Sequence, residues 1–554
     1  MANFSRRDFI RATAVCAAGS IILLPGCGGG KETDSHGNSL ITAKTKYGKV
    51  KGVRQEGVNI FKGIPYAGSV SGQYRFGRPA PLEPWSGVRE ALRLGTPAMQ
   101  LSSTVYGIDE PEPGEDCLFL NVWTPANDNK KRPVMFYNHG GGYATGSGGS
   151  AGQDGANLAR NFDVVVVETN HRLNIFGFLY LGEVAGEEYK TSGNNGILDI
   201  VDGLKWVNEN IAEFGGDPDN VMIWGESGGG YKTSCLYSMP LAAPYFNKAS
   251  IESGPGLTVG SVEAAAATTE LLLRELDIDK ADWRKLLEIP AQEMYGMISL
   301  LQQAAAREAR EGGAAVRVNF SPVIDGVAVL NHPFTPSAPE ISREKPLITG
   351  WCEDEYTFFV LTGGNADALR LGDTDYNGLE KILEPRYGGN TKRIIETYRK
   401  SRPEATAANI WVEIMSVNMM GLGSIEIAEK KVRQGGAPVY LYNFGFKNGA
   451  KLPGTDYPMG TPHAMDIAYK FNNVEAGGGF TGNRPERFAA SHNFAELWTT
   501  FARTGKPGGK ELPEWREYDL ENRPVMRISD ICEVINDRYP EERLLWTELG
   551  YIRS

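Results

Sequence analysis

A serine flanked by glycines is the residue of this chain best suited to covalent chemistry. Gly225–Gly229 reads G-x-S-x-G and follows Asn220–Trp224, a short apolar run typical of a buried strand. A strand that leads directly into this pattern predicts a sharp, strained turn that exposes the hydroxyl of Ser227 at the top of a sheet. Glycines around the serine permit the close backbone approach that such a turn needs. The alternative is a glycine-rich turn that holds a serine by chance, so the rest of the chain must decide.

A serine hydroxyl becomes a good nucleophile when a base removes its proton and a third group orients that base. In enzymes built on such a turn, the acid and then the histidine follow the serine along the chain. His332, His463 and His492 qualify by position. His332 precedes a proline, and His492 lies in a helical pattern that favours a surface or capping role. His463 lies in a loop after an apolar strand pattern, so order and placement favour it as the base.

The residues alone leave the acid open. Glu353, Asp354 and Glu355 are consecutive and follow Pro346–Thr349, the end of a predicted strand. A run of three carboxylates is usually a solvated turn, and only one of them can point at the histidine. The chain order favours this turn without choosing among its three members.

A glycine-rich loop upstream offers donors for a developing negative charge. Asn138–Tyr143 reads N-H-G-G-G-Y, follows the apolar run Val134–Tyr137, and resembles the H-G-G-G loop of esterases and lipases. Backbone N–H groups in such a loop can approach a reacting carbonyl oxygen with no side chain in the way. His139 is interpreted as a structural residue of this loop.

The elements that position these loops follow an α/β pattern. Apolar residues at steps of three and four from Ile197 to Phe214 predict a helix of about 20 residues. The stretch from Val262 to Glu311 is rich in Ala, Leu and Glu and predicts helices of a cap or surface insertion. Four near-continuous apolar runs predict parallel strands covered on both faces, and they are Val134–Tyr137, Val164–Val167, Val221–Trp224 and Val439–Tyr442.

Composition narrows the function classes. The chain has 554 residues, of which 41% are hydrophobic and 23% charged, as is ordinary for a globular enzyme. The net charge of −11 argues against a nucleic-acid partner, because phosphates require neutralisation by Lys and Arg. The sequence shows no heptads, no repeats and no transmembrane span. We expect one catalytic domain over residues 40–554, because no linker interrupts it.

The N-terminus predicts export. Arg6 and Arg7 precede Ala12–Leu24, an apolar stretch too short to span a bilayer, for which about 20 residues are needed. A charged start before a short apolar core is typical of a secretory signal. The paired arginines followed by Phe9 resemble a bacterial twin-arginine signal, which exports folded proteins. The alternative is a basic amphipathic helix.

A cysteine at the end of the apolar stretch predicts a lipid anchor. Leu24–Cys27 resembles a lipobox, which implies cleavage before Cys27 and lipid attachment to its sulfur. Residues 1–26 would then be the signal peptide, and residues 27–39 would be a flexible tether from a membrane surface. The protein would lie in the periplasm or cell envelope. The alternative is ordinary signal cleavage near the same place.

Together these residues resemble the type B carboxylesterase family, α/β-hydrolases that include the cholinesterases. The likeness covers nearly the whole mature chain. It implies an α/β-hydrolase fold, with a mostly parallel twisted sheet flanked by helices and with helical cap insertions. Further matching stretches are Phe61–Ala67, Arg75–Phe76, Pro79–Trp85, Glu115–Val122, Asn170–Leu173, Gly177–Leu179, Phe214–Pro218, Pro322–Gly326 and Trp498–Pro507.

The resemblance implies a role for each site residue. Ser227 would be the nucleophile of ester hydrolysis through an acyl-enzyme, His463 the base and Glu355 the acid. The N–H groups of Gly141, Gly142 and Gly228 would form the oxyanion hole. Glu226 would line the floor of the substrate gorge and tune His463. A small-molecule ester is the expected partner, and no metal or organic cofactor is expected.

Three positions depart from the family pattern. Gly228 stands where alanine is usual, which predicts an elbow looser by about 0.5–1 kcal/mol. Tyr356 replaces a small residue after the acid and is expected to narrow that side of the site. Ala98 stands where the disulfide partner of Cys117 would lie, so Cys117 is expected to be unpaired. The mature chain's thiols are expected to be mostly buried and free, and they are Cys117, Cys235, Cys352 and Cys532.

Two kinds of alternative function stay open at this point. Some members of the family have lost the serine and serve as non-catalytic adhesion or binding modules. Among enzymes, a lipase, an aromatic-ester hydrolase or a polymer esterase would share the same motifs. A cholinesterase role has no positive support in the sequence.

Overall fold

A large, mostly parallel sheet runs through the molecule. The structure is a computed structural model, and it describes residues 33–101, 110–312, 316–363, 371 and 373–552. Within these residues the sheet has 13 strands. They are β1 Ser39–Thr45, β2 Gly48–Gln55, β3 Val58–Pro65, β4 Val88–Glu90, β5 Phe119–Thr124, β6 Arg132–Asn138, β7 Val165–Thr169, β8 Gly216–Glu226, β9 Lys248–Glu252, β10 Leu347–Cys352, β11 Val439–Phe444, β12 Pro524–Ile528 and β13 Glu533–Asn536.

The strand order brings the ends of distant segments to one edge. The order is β1-β2-β3-β5-β7-β6-β8-β9-β10-β11-β12-β13, with β4 paired to β2. From β7 to β12 every pair is parallel, and antiparallel strands flank this central part. In open parallel sheets, sites form beyond the carboxyl ends of the strands. The loops after β6, β8, β9, β10 and β11 therefore meet at this edge. The four predicted strand runs coincide with β6, β7, β8 and β11, except that Val164 precedes β7 by one residue. The prediction of these strands is confirmed.

Helices cover both faces of the sheet. The predicted helix between β7 and β8 is confirmed as α4, which continues as a 3₁₀ turn over Ile211–Phe214. The segment predicted as a cap forms α6 and α7. The helices of the described residues are α1 Ala156–Phe162, α2 Asn174–Phe178, α3 Gly182–Ala185, α4 Asn195–Asn210, α5 Gly228–Ser238, α6 Val262–Glu275, α7 Ala291–Arg310, α8 Glu355–Gly363, α9 Tyr376–Tyr387, α10 Thr391–Ser401, α11 Ala407–Ser416, α12 Leu422–Gln434, α13 Met465–Lys470, α14 Arg487–Thr504 and α15 Pro540–Glu548.

Strand β8, which leads to Ser227, is buried on both faces. Met222 and Trp224 pack into one hydrophobic cluster, and Val221 and Ile223 pack into the other. This alternation is the two-residue period of a strand, and burial of both sets explains the continuous apolar run. The strand that carries the serine is therefore held rigidly by two cores.

Buried ion pairs join motifs that are far apart in the sequence. Arg75 contacts Glu115 through two hydrogen bonds of 2.5 and 2.6 Å. Arg172 donates to Asp199 through bonds of 2.7 and 2.8 Å, and both side chains are buried. Paired, hydrogen-bonded charges can be buried where isolated charges cannot. These pairs fix the loops after β4 and β7 against the body.

The predicted N-terminal features lie largely outside the described residues, and these include Arg6, Arg7 and Cys27. Part of the segment predicted as a tether is folded, because Asp34 accepts hydrogen bonds from the backbone of His36 and Asn38 in a turn before β1.

One helical stretch, Ala407–Gln434, is long and apolar enough to cross a membrane, but 61% of its apolar window is buried in the folded chain. Burial of this kind is typical of a core helix.

The four cysteines of the described region are free thiols, as expected. Cys117, Cys235 and Cys352 are buried, and Cys532 is half-buried. Burial raises the pKa of the Cys235 thiol to about 12. Buried, protonated thiols behave as small apolar side chains.

Candidate active site

Ser227 occupies a strained turn between β8 and α5. Its φ of 58° and ψ of −120° lie in a region that non-glycine residues rarely adopt. The Ser227 N–H donates to the carbonyl of Glu252 at the end of β9, at 2.9 Å. A Cβ atom at Gly254 would lie only 2.0 Å from the Ser227 carbonyl oxygen, so glycine is required there. The strain is imposed by two neighbouring strand ends and exposes the hydroxyl, which is the geometry of a nucleophile elbow.

A chain of two short hydrogen bonds connects the serine to a histidine and a carboxylate. Nε2 of His463 lies 2.7 Å from Oγ of Ser227. Nδ1 of His463 lies 2.5 Å from Oε2 of Glu355. Because a carboxylate can only accept, Nδ1 carries the proton, and Nε2 is left to accept the serine hydroxyl. The histidine is therefore placed to remove the proton of Ser227.

Glu355 has further partners that sequence reasoning missed. Its Oε1 accepts the hydroxyl of Ser253 at 2.5 Å and the backbone N–H of Cys352 at 2.7 Å. All of these groups are buried, so the carboxylate holds one orientation towards His463. Ser253 directly follows β9, and its position at the end of a parallel strand beside β8 was the signal that could have found it.

The other two carboxylates of the turn bind elsewhere. Asp354 accepts the Thr461 N–H at 2.7 Å, and its own N–H donates to the Thr461 carbonyl at 3.1 Å. Lys447 forms ion pairs with Asp354 and, at 2.8 Å, with Glu353. These contacts hold the turn that carries Glu355 against the loop that carries His463. The structure thereby assigns one carboxylate to the imidazole and two to the support of the turn.

Glu226 is a second carboxylate close to the histidine. Its Oε1 lies 3.3 Å from Nδ1 of His463, and its side chain is buried. Burial raises the pKa of Glu226 to about 8, against the opposing effect of the His463 charge. Burial lowers the pKa of His463, but the charges of Glu226 and Glu355 outweigh it and raise the value to about 9. A proton on Glu226 removes one of these charges and moves the imidazole towards the range in which it acts as a base.

The glycine loop lies against the start of α5. Gly141 and Gly142 have φ values of +83° and +63°, which favour glycine. A Cβ atom at Gly228 would lie 2.3 Å from the Gly142 nitrogen. The structure therefore corrects the expectation of a looser elbow, because the missing methyl group at Gly228 allows the glycine loop to pack closely on it. Gly141 and Gly142 line the cavity that Ser227 opens into, and Gly228 lies against Gly142.

The cavity above the serine encloses about 410 Å³, a volume typical of small-molecule sites. Phe358 and Phe359 form one wall, and their rings lie 5.5 and 5.0 Å from the His463 ring. The expectation for Tyr356 is wrong, because its ring packs against Trp411 at 5.8 Å and does not line the cavity. Helix α8 therefore narrows the cavity through Phe358 and Phe359, two and three residues beyond the predicted position.

The remaining histidine candidates lie away from the serine. His332 accepts the Val259 N–H at 3.2 Å. The side chain of His492 is 63% exposed on α14. Among the residues that the structure describes, no group of three or more His, Cys, Asp or Glu side chains could hold a metal ion. The described groups that converge on Ser227 are those of an acyl-transfer site.

Comparisons with known proteins agree with this geometry. The sequence profile described as the carboxylesterase family matches residues 39–545. The chain is 33% identical over 515 residues to the para-nitrobenzyl esterase of Bacillus subtilis (strain 168), covering 90% of this chain and 97% of that protein. The chain belongs to the carboxylesterase family, the type B carboxylesterases of the α/β-hydrolase fold.

Solved structures show the same relation. The Geobacillus stearothermophilus carboxylesterase EST55 superposes with a TM-score of 0.75 at 37% identity, covering 91% of this chain and 99% of that one. An esterase from Clostridium hathewayi that can hydrolyze aliphatic aromatic polyesters has a TM-score of 0.72 at 28% identity, covering 92% of this chain and 99% of that one. The protein is a serine carboxylic-ester hydrolase, and the reading as a non-catalytic binding module is not favoured.

Proposed function

We propose that Ser227, His463 and Glu355 carry out ester hydrolysis through an acyl-enzyme. The observation that carries the proposal is the continuous hydrogen-bond chain of 2.7 and 2.5 Å from the serine hydroxyl to the buried carboxylate. Oγ of Ser227 forms a bond to the ester carbonyl carbon while Nε2 of His463 takes the hydroxyl proton. Glu355 holds the imidazole tautomer and stabilises its positive charge.

The tetrahedral intermediate collapses by loss of the alcohol. The N–H groups of Gly141, Gly142 and Gly228 donate to its oxyanion, an interaction worth about 10²–10³-fold in rate per donor. The bond from carbon to the alcohol oxygen breaks, and that oxygen receives the proton from Nε2. Water then attacks the acyl-enzyme while His463 takes its proton. The bond from the acyl carbon to Oγ of Ser227 breaks, Oγ receives the proton, and the carboxylic acid is released. Glu226 lines the floor of the site and modulates the charge on His463.

A serine-directed experiment tests this assignment. Ser227→Ala should lower kcat for p-nitrophenyl butyrate by about 10⁴–10⁶-fold and abolish labelling by a fluorophosphonate. Ser238→Ala, on the same helix but bonded to the Cys235 carbonyl, is the matched control and should retain both. An inactive, unlabelled wild type would support the binding-module alternative, and labelling that persists in Ser227→Ala would assign the nucleophile elsewhere.

For the substrate, we propose esters that carry a ring-sized apolar group. The support is the aromatic wall of Phe358 and Phe359 together with the size of the cavity. Relatives named for a para-nitrobenzyl ester and for aliphatic aromatic polyesters favour the same class. A panel of p-nitrophenyl, benzyl and long-chain triglyceride esters separates an aromatic-ester or polymer esterase from a lipase. The largest kcat/KM on the triglyceride would contradict the proposal.

We also propose that the protein is exported to the bacterial cell envelope and anchored by lipid on Cys27. The support is the sequence alone, namely Arg6 and Arg7 before a short apolar stretch that ends at a lipobox-like segment. Arg6→Lys combined with Arg7→Lys should leave the protein in the cytoplasm. Cys27→Ser should lose labelling by a palmitate analogue. Export without a twin-arginine pathway, or equal labelling of both proteins, would refute the respective step.

A further inference from the structure

A lysine with no carboxylate partner is buried behind the glycine loop. Lys232 lies on α5, one turn after Ser227, and its side chain is fully buried. Its Nζ donates to the backbone carbonyl of His139 at 2.9 Å. In the part of the chain that the structure describes, no carboxylate forms an ion pair with this ammonium. A buried lysine is costly unless it is paired, so its retention here needs a reason.

Two histidines form the surroundings of this lysine. The rings of His139 and His171 stack with a centroid distance of 4.5 Å and an interplanar angle of 21°. Burial, together with the Lys232 charge, holds the pKa of both imidazoles well below the usual range. Nδ1 of His139 lies 2.9 Å from the Gly140 carbonyl, which can only accept, so this nitrogen carries the proton of a neutral ring. Lys232 is therefore the group of this cluster whose protonated form places a positive charge behind the glycine loop.

The lysine reaches the loop at its root. His139 is the residue that precedes the three glycines, and its carbonyl is the acceptor of Lys232. The preceding residue is tied to the same helix, because Nδ2 of Asn138 donates to Oγ1 of Thr233 at 2.9 Å. Glycines have no side chains by which the loop could anchor itself. The loop is held by contacts at its root, by the close approach of Gly142 to Gly228, and at its far end by hydrogen bonds with Gln100 and Asn174.

We propose that Lys232 is a positioning residue for oxyanion stabilisation. It holds the His139 peptide so that the N–H groups of Gly141 and Gly142 face the oxyanion, and in its protonated form its charge adds to the potential there. The proposal rests on the assignment of Ser227 as nucleophile. Preorganised charge and dipoles act where negative charge develops, and burial strengthens their effect. Lys232 should therefore act on the transition state more than on the bound ester.

The first test separates transition-state binding from substrate binding. Lys232→Met retains most of the side-chain volume and removes both the charge and the donor. We expect kcat for p-nitrophenyl butyrate to fall about 10- to 30-fold, with KM changed less than about twofold. The inhibition constant of a trifluoromethyl ketone, which forms a tetrahedral oxyanion on serine, should rise by the same factor as kcat falls.

A matched control shows whether the effect is specific to Lys232, and a second variant is used if the first does not fold. Lys345 also donates to backbone carbonyls, those of Ala243 and Phe246, but it precedes β10 at the opposite end of the sheet. Lys345→Met should leave kcat and the inhibition constant unchanged. If Lys232→Met does not fold, Lys232→Gln retains an N–H donor without the charge and should give an intermediate loss.

A pH profile tests the charge separately. Burial lowers the pKa of Lys232 well below that of a free lysine, and the ionisable groups that face it, His139 and His171, are neutral. Loss of its proton should lower kcat on the alkaline side in the wild type, and this limb should be absent from Lys232→Met. Full kcat and unchanged ketone inhibition in both Lys232 variants would overturn the proposal. An active wild type labelled at Ser227 would show that the proposed function stands in that case.

Discussion

Two sides of the site are held in place around Ser227 by different kinds of contact. The histidine side, formed by the Glu355 turn and the His463 loop, is fixed by side-chain hydrogen bonds and ion pairs. The glycine side, formed by residues 139–146 and Gly228, is held at its root by Lys232 and at its far end by the side chains of Gln100 and Asn174. Its middle packs through the backbone, where Gly142 lies against Gly228. Proton transfer requires one imidazole orientation, which directional bonds supply. Oxyanion binding requires bare N–H groups, so the side-chain contacts that hold this loop lie at its two ends.

The comparison predicts the largest loss on the histidine side. Glu355→Gln retains the shape of the side chain, but it removes the charge that stabilises the imidazolium and its tautomer. We expect kcat/KM for p-nitrophenyl butyrate to fall about 10⁴-fold, with little change in thermal stability. Activity within about tenfold of the wild type would show that Glu226 can take over from Glu355.

On the glycine side, Gly228→Ala should have an intermediate effect. The added Cβ would lie 2.3 Å from the Gly142 nitrogen, so the glycine loop must shift. We expect kcat to fall about tenfold and affinity for a trifluoromethyl ketone to fall in parallel. Wild-type activity would mean that the loop relaxes freely and that its close packing has no catalytic role.

The contacts between the Glu355 turn and the His463 loop should contribute less to kcat. Asp354→Asn leaves the Thr461 contact possible but weakens the ion pair with Lys447. We expect kcat to fall about three- to tenfold because His463 and Glu355 lose alignment. Lys451→Met, which breaks the exposed pair with Asp456 nearby, is the control and should have no effect. Equal results for the two variants would remove Asp354 from the positioning of the loops.

The smallest expected effect is a shift in pH dependence. Negative charge on Glu226 raises the pKa of His463, so Glu226→Gln should lower it. The base then stays neutral at lower pH, and the acid limb of kcat/KM moves downwards by less than about one pH unit. An unchanged limb would show that Glu226 keeps its proton throughout and that Glu355 alone sets the value.

Local patterns predicted the elements better than they predicted the contacts between them. The apolar runs of β6, β7, β8 and β11 and the helical period of α4 are short-range signals, and each was found where expected. Chain order placed His463 ahead of two rivals because a fold of this kind allows one order. The three consecutive carboxylates could not be separated in this way, since adjacent residues share the same pattern and differ only in direction.

The sequence by itself determined the class of fold, the serine turn and the histidine that faces it. Tertiary structure decided which partner each charged group has, because these partners come from distant segments that the parallel sheet brings to one edge. Ser253 with Glu355, Lys447 with Asp354, and Lys232 with His139 are separated by 93 to 102 residues. It also reversed the expectation for Gly228. Without a methyl group at this position, the turn is looser if nothing packs against it, but a neighbouring loop can also approach it more closely. Here Gly142 lies opposite, and the contact is close.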